Sequence, residues 1–442
     1  MSERTCHTSP ALGEAYEQII HKSGLRVLVC HKDMSATYAM LGVNYGSADM
    51  PEHLSRGLPT GEKTPLGMAH FLEHKMFEAE DGTSVDLTFA ELGAEVNAYT
   101  SYDRTVYYVS CTQRFSEALT ALLSLVKQLW VSQASVRREA AIISEEIRMN
   151  DDSPFERCYA ELLRAMYHSH RVREEICGTE ASISRITPKL LKAHFDAFYR
   201  PDNMVLSVAG KVTAEEVMTL VDACFDHMAL QFPMPQKLTA QEPAHPHKPY
   251  TELRMQVSKP LFCIGVKDQH VPTTPREIFR RDLCMTVLSE MLFSRSGAFY
   301  SRLFESEMIT PTYSYGSSIG QGYGYFAISG EGDHPHRVYE AFCDYIASVK
   351  AQGLSQEDFE RSRRILYADY VTSFDATEDI AQSLLTYAMD GIDLFDFIPT
   401  VTSMTLSEVS DLFYESFSPD QFVLSVVWPL EDIEEHPLTD IS

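Results

Sequence analysis

The sequence predicts an α+β protein built from two similar halves, and three observations carry that prediction. The order of elements repeats along the chain. Each half opens with strand-like alternation, "LRVLVCHK" and "ATYAMLGVNYG" in the first and "LRMQVSKPLFCIGVK" in the second. Each continues into a long amphipathic helix, then an aromatic-rich strand pair followed by further helices. The pairs are "AEVNAYTS" with "RTVYYVSCT", and "TYSYGSSIG" with "YGYFAISGEG". The closing pieces of the two halves, "NMVLSVAGKV" and "QFVLSVVWPL", are alike. Finally, "PMPQKLTAQEPAHPHKPYTE", residues 233–252, holds five prolines and almost no apolar periodicity, which reads as a linker. The expected division is 1–232, a linker at 233–252, and 253–442, with an internal duplication at a period of about 200 residues.

Composition narrows the functional classes. At 442 residues, two or more domains are expected. A net charge of −26, from 63 acidic and 37 basic residues, repels phosphate backbones and anionic lipid. Nucleic acid and membrane are therefore poor partners, and a cationic or extended polypeptide fits better. The N-terminal stretch has no apolar core of the signal-peptide kind, and no apolar run approaches a membrane span. Nine cysteines, odd in number and never spaced C-x-x-C, suit reduced thiols. A cytoplasmic location is the expectation.

The chemistry-bearing stretch is "GMAHFLEHKMFEAEDG", residues 67–82. On a helix, His70 and His74 are i and i+4 and lie one above the other. Two imidazoles so placed can chelate one Zn²⁺, which favours nitrogen donors and tetrahedral geometry. Glu73 projects beside the pair, where a general base acting on a metal-activated water belongs. The order H-x-x-E-H inverts H-E-x-x-H and is the inverzincin signature. The competing reading is a solvated His/Glu helix face. A catalytic zinc also needs a third protein ligand. In "VRREAAIISEEIRMNDD", Glu139 and Glu146 are seven apart and share a helix face, whereas Glu145 is rotated by roughly 100°. That face could supply a ligand from Glu146 and a supporting carboxylate from Glu139. Alone, acidic helix residues usually face solvent.

Several blocks together resemble the pitrilysin/insulinase family of zinc metallopeptidases, in its half-length bacterial branch. The blocks run in order: "GMAHFLEHKMFE", "GAEVNAYTSYDRTVYY", "REAAIISEEIRMNDD" and "HFDAFYRPDNMVLSVAGKV". The resemblance implies two homologous α/β-sandwich domains forming one half of a clamshell. It implies His70, His74 and Glu146 as zinc ligands, Glu73 as base and Glu139 as a support. It also implies that the strand around Asn97 and Ala98 pairs with the substrate backbone, which agrees with strand-forming "VNAYTS" and with peptide addition at a sheet edge; an ordinary core strand is the alternative. Phe77 fits either pocket lining or core packing.

The sequence departs from the family in "SRLFESEMITPTYSYG", residues 301–316. Arg302, Leu303 and Phe304 remain, but Ser306, Glu307 and Met308 stand where an arginine is expected, and the stretch is about two residues short. Tyr313 survives as the candidate for the tyrosine that helps hold the substrate carbonyl. The half length implies completion by a second chain: a paralogous subunit in a heterodimer, or a homodimer. The expected function is zinc-dependent cleavage of peptides or unfolded segments. The alternative is a non-catalytic or weakly active subunit of a heterodimeric processing peptidase or peptide maturation factor. The glycine-rich hairpins and the His245/His247 and His334/His336 pairs read as turn chemistry.

Overall fold

The computed structural model describes residues 3–49, 64–225 and 241–431. The chain forms two compact units, each with its own mixed sheet. The strands are β1 Glu3–Ser9, β2 Glu14–Ile20, β3 Arg26–His31, β4 Thr37–Val43, β5 Ala94–Thr100, β6 Thr105–Cys111 and β7 Met204–Gly210 in the first unit. In the second they are β8 Tyr250–Met255, β9 Leu261–Lys267, β10 Ser314–Gly320, β11 Tyr323–Glu331 and β12 Phe422–Pro429. The first sheet runs β1-β2-β3-β7-β4-β6-β5 and the second β10-β11-β9-β12-β8. Read from opposite ends, β3-β7-β4-β6-β5 and β8-β12-β9-β11-β10 are one topology. Each has a single parallel pair, β3 with β7 and β12 with β8. The duplication is thus present in the fold, with offsets from 224 (Arg26 to Tyr250) to 218 (Met204 to Phe422) rather than about 200. Among the described residues, the β1–β2 hairpin has no counterpart in the second unit.

The strands expected from alternation are present, yet β4, β7 and β9 are buried along their whole length. Both faces of these strands are covered, so a continuous apolar run replaces alternation. One covering helix in each unit comes from the other half of the sequence. Helix Pro154–Met166 belongs to the second unit and packs on β9 and β12; helix Thr377–Met389 belongs to the first and packs on β4 and β7. Their seats are equivalent. Buried Ser207 Oγ donates to the Ala381 carbonyl at 2.7 Å, and Ser425 Oγ to the Cys158 carbonyl at 2.8 Å. Gly42 and Gly265 lie beneath them; a Cβ on Gly42 would sit 2.5 Å from Met389, and one on Gly265 2.4 Å from Met166. The contiguous boundaries 1–232 and 253–442 therefore differ from the compact units, which exchange residues 148–174 and 370–397.

Residues 233–240 of the expected linker lie outside the described residues. Its remainder is held firmly by the second unit. Glu242 accepts hydrogen bonds from the backbone N–H groups of His168, Ser169 and His170 and pairs with the buried Lys267 ammonium at 2.7 Å. Lys267 also donates to the carbonyls of Met166, Pro243 and His245. Proline content signals an absence of regular structure, but not of order. Among the described residues no helix is long and apolar enough to cross a membrane.

Candidate metal and catalytic centre

Helix Met68–Met76 carries the H-x-x-E-H stretch and is buried on nearly every side; only His74 reaches partial exposure. It begins at Gly67, whose φ of 82° is left-handed. A Cβ there would meet the Cys177 carbonyl oxygen at 2.4 Å, and one on Gly178 (φ 76°) would meet the Leu66 carbonyl at 2.7 Å. The loop 177–178 thus lies backbone to backbone against the start of the helix. Ser182 Oγ fastens it by donating to the Leu66 carbonyl at 3.0 Å. Helix Gln133–Asp151 supplies the carboxylates, and the turn of register separates them as the spacing requires: Glu145 is exposed, while Glu146 is partly buried.

Nε2 of His70 lies 3.4 Å from Oε1 of Glu146, and Nε2 of His74 lies 3.4 Å from Oε2. The two rings meet edge to face, centroids 4.6 Å apart. Nitrogen and oxygen donors about 2.0–2.1 Å from a tetrahedral zinc are roughly 3.3 Å from one another, so these separations fit a shared ion. Nδ1 of His74 faces Glu139 at 3.1 Å, the kind of second hydrogen bond that would orient the imidazole as a ligand. Glu139 in turn lies 3.9 Å from the fully buried Lys75 ammonium, which also pairs with Glu78. Glu73, 8% exposed, receives a 2.6 Å hydrogen bond from Thr100.

The electrostatics follow. Burial pushes the Glu73 carboxyl above its usual range, against the pull of His70 and the Thr100 hydrogen bond. Burial works to lower the His74 imidazole, but its contacts with Glu139 and Glu146 win and raise it to about 9. The two imidazoles hold Glu146 well below the carboxylate range.

His70, Glu73, His74, Glu139 and Glu146 are all brought together in the first unit. Among the described residues β5 is the edge strand of its sheet, paired with β6 alone. Asn97 is exposed on it, and its side-chain oxygen accepts the Ala98 N–H at 2.8 Å. Phe77 is half-buried against the core and tilted on Tyr107, centroids 6.1 Å apart, so it serves packing first. Tyr313 departs from its expected place. It belongs to the second unit, is 1% exposed, and donates its hydroxyl to the Phe293 carbonyl at 3.0 Å. The shortened stretch before it turns through Glu307 at φ 58°. Tyr313 is therefore a core residue and not a free donor.

Three residues escaped the sequence reading: Thr100, Lys75 and Cys177. The Cys177 thiol sulfur, a carboxylate oxygen of Glu146 and a ring nitrogen of His70 lie mutually within 4.8 Å, and the thiol donates to Glu146 Oε1 at 3.6 Å. His74 is outside that set of three and joins through the other oxygen of Glu146. Burial first, then the Glu146 carboxylate, pushes the Cys177 thiol up to about 12. Lys75 beside His74 with Glu78 three residues on was a legible signal; the approach of Cys177 across a hundred residues was not.

The chain is similar to known proteins in sequence and in fold. Residues 60–180 match the sequence model of the insulinase family (peptidase family M16), and residues 185–366 match that of the peptidase M16 inactive domain. A Bacillus subtilis (strain 168) chain named as an uncharacterized zinc protease, YmfH, is 31% identical over 92% of this chain and 95% of its own. The crystal structure of an M16-like peptidase from Alicyclobacillus acidocaldarius superposes with a TM-score of 0.88 at 31% identity, covering 96% of this chain and 99% of that one. The mitochondrial-processing peptidase subunit beta of Saccharomyces cerevisiae is 28% identical over 47% of this chain and 43% of its own.

Proposed function

Since the chain belongs to the insulinase family of peptidases, M16, we propose that it is a zinc-dependent endopeptidase for peptides or unfolded segments. The carrying observation is the convergence of His70 Nε2 and His74 Nε2 on the Glu146 carboxylate at tetrahedral-edge separations. Zn²⁺ held by these three residues would lower the pKa of a water molecule toward neutrality. Glu73 would take the proton of such a water and return one to the departing amine; its burial raises the proton affinity of the carboxylate and so favours the proton-accepting half of that task. Thr100 holds the carboxylate in position, and Glu139 with Lys75 holds His74. The peptide adds to the free edge of β5 at Asn97 and Ala98 by main-chain hydrogen bonds, once the Asn97 side chain releases the Ala98 N–H.

The oxyanion donors are the incomplete part. Tyr313 is buried, and no arginine stands in the 306–308 turn. We assign the missing donors to a second subunit, a paralogue or another copy, in keeping with the subunit naming of the yeast relative. The same observation favours a second reading, a weakly active or non-catalytic subunit. A peptidase assay on the zinc-loaded chain, alone and mixed with a similar-sized paralogue carrying the arginine–tyrosine pair, separates the two. Chelator-sensitive cleavage that rises by roughly two orders of magnitude on mixing supports the first. Mixed activity that survives His70→Ala in this chain supports the second. The cytoplasmic location is part of the same proposal, from the free cysteines and the acidic composition.

A further inference from the structure

At the C-terminal end of the histidine-bearing helix, the first unit contains a half-open cavity of about 360 Å³. None of the candidate metal ligands lines it. Its volume falls within the range of small-molecule sites. Met76, Phe89 and Leu125 give it a buried apolar floor, and Val85 and Trp130 stand partly exposed beside them. The frame is hydrogen-bonded on its own account. Glu78 and Ser84 form a β-bridge, the Ala79 N–H donates to the Thr83 carbonyl at 2.9 Å, and the Val85 N–H donates to the Phe77 carbonyl at 3.0 Å. This closed turn makes one wall; helix Asp86–Glu91, helix Phe115–Leu125 and the loop after it make the others. Apolar walls fixed in this way offer dispersion contacts to an apolar ligand without first having to be ordered.

Charge selects the class of ligand. Two charged residues line the cavity, Glu78 and Lys127. Glu78 is already matched: the buried Lys75 ammonium pairs with it, and Arg138 approaches it at 3.3 Å. Lys127 is exposed, and its ammonium has neither ion pair nor hydrogen bond among the described residues. The charge left unmatched at the cavity is therefore positive, on a chain whose net charge is −26. We propose that this cavity binds a small amphipathic carboxylate, with its apolar chain or ring against Met76, Phe89 and Trp130 and its anionic end at Lys127. The proposal goes beyond the peptidase reading and does not depend on it, since no metal or peptide takes part.

The test titrates the full chain with octanoate, 1-octanol and octylammonium, followed by calorimetry and by tryptophan emission. Trp130 is the reporter; Trp428, the other tryptophan, is buried in the second unit and gives a constant background. Octanoate should bind at about one per chain, shift the emission, and bind more tightly than octanol, with octylammonium the weakest. Lys127→Gln, at an exposed position, should weaken octanoate by about two- to fivefold and leave octanol unchanged, and the difference should shrink as salt rises. Heat of binding without a change in emission places the ligand elsewhere and overturns the site. Octylammonium binding as tightly as octanoate, or octanoate affinity unmoved by Lys127→Gln, overturns the carboxylate assignment. If the wild-type chain binds none of the three, the proposal fails outright, whatever the variant does.

Discussion

Thr100 Oγ1 donates to Glu73 Oε2 at 2.6 Å, so the edge strand β5 holds Glu73, the proposed base, by its last residue. The direction of that bond is set from behind. Thr105 Oγ1 donates to the Tyr45 carbonyl at 2.9 Å and stands 3.3 Å from the Thr100 hydroxyl, leaving the Thr100 proton for Glu73. The strand that would receive peptide thus also aims the group that would activate water. Thr100→Val should lower the cleavage rate by roughly 10- to 100-fold, the scale of a hydrogen bond to a charged group. Zinc content should not change. Parallel metal analysis and initial rates check this.

Glu139 fixes His74 through Nδ1, and Lys75 balances Glu139 from the buried side. Glu139→Gln should weaken zinc binding by roughly 10- to 100-fold, as is usual for such outer partners. Competition with a chromophoric chelator reads the change.

Of the adjacent pair on helix Gln133–Asp151, Glu146 faces the histidines and Glu145 is exposed. Glu146→Gln should cost far more zinc affinity than Glu145→Gln, which should fall within the error of the wild type. The reverse order in a metal titration would move the ligand to Glu145 and break the assignment of the helix face.

The second unit should be acid-sensitive. Burial alone would raise the Glu242 carboxyl, but Lys267 and the backbone N–H groups of residues 168–170 overcome it and lower it to about 2, from 4.5. A carboxyl lower in the folded state contributes stability that is full above 4.5 and is lost as pH falls toward 2. Glu242→Gln should bring the loss to neutral pH. It leaves Lys267 buried without its counter-charge, at a cost of about 3–5 kcal/mol. Thermal melts from pH 7 to 3 should show the wild type converging on the variant; parallel curves would contradict the assignment.

Much of this was legible because short-range patterns encode it. The spacing of His70, Glu73 and His74, the face shared by Glu139 and Glu146, and the strand runs all lie within single elements, where helix and strand periods govern. The exchange of helices Pro154–Met166 and Thr377–Met389 between the units was not legible. Helix amphipathicity states that an apolar face will be covered, and not which sheet will cover it. Tyr313 was misplaced for a related reason: a tyrosine in a shortened loop reads the same whether its hydroxyl meets a substrate or the Phe293 carbonyl. Cys177 depends on two glycines, 67 and 178, meeting across the fold.

The central claim is that Glu73 works on water activated by an ion it does not itself bind. The most direct measurement is metal content and peptide cleavage on one preparation of Glu73→Gln, assayed in the subunit mixture that gives the wild type its highest rate. The account predicts about one zinc per chain, as in the wild type, with cleavage reduced by at least roughly 10²-fold. Full cleavage with Gln at position 73, or loss of the zinc along with the activity, would contradict it.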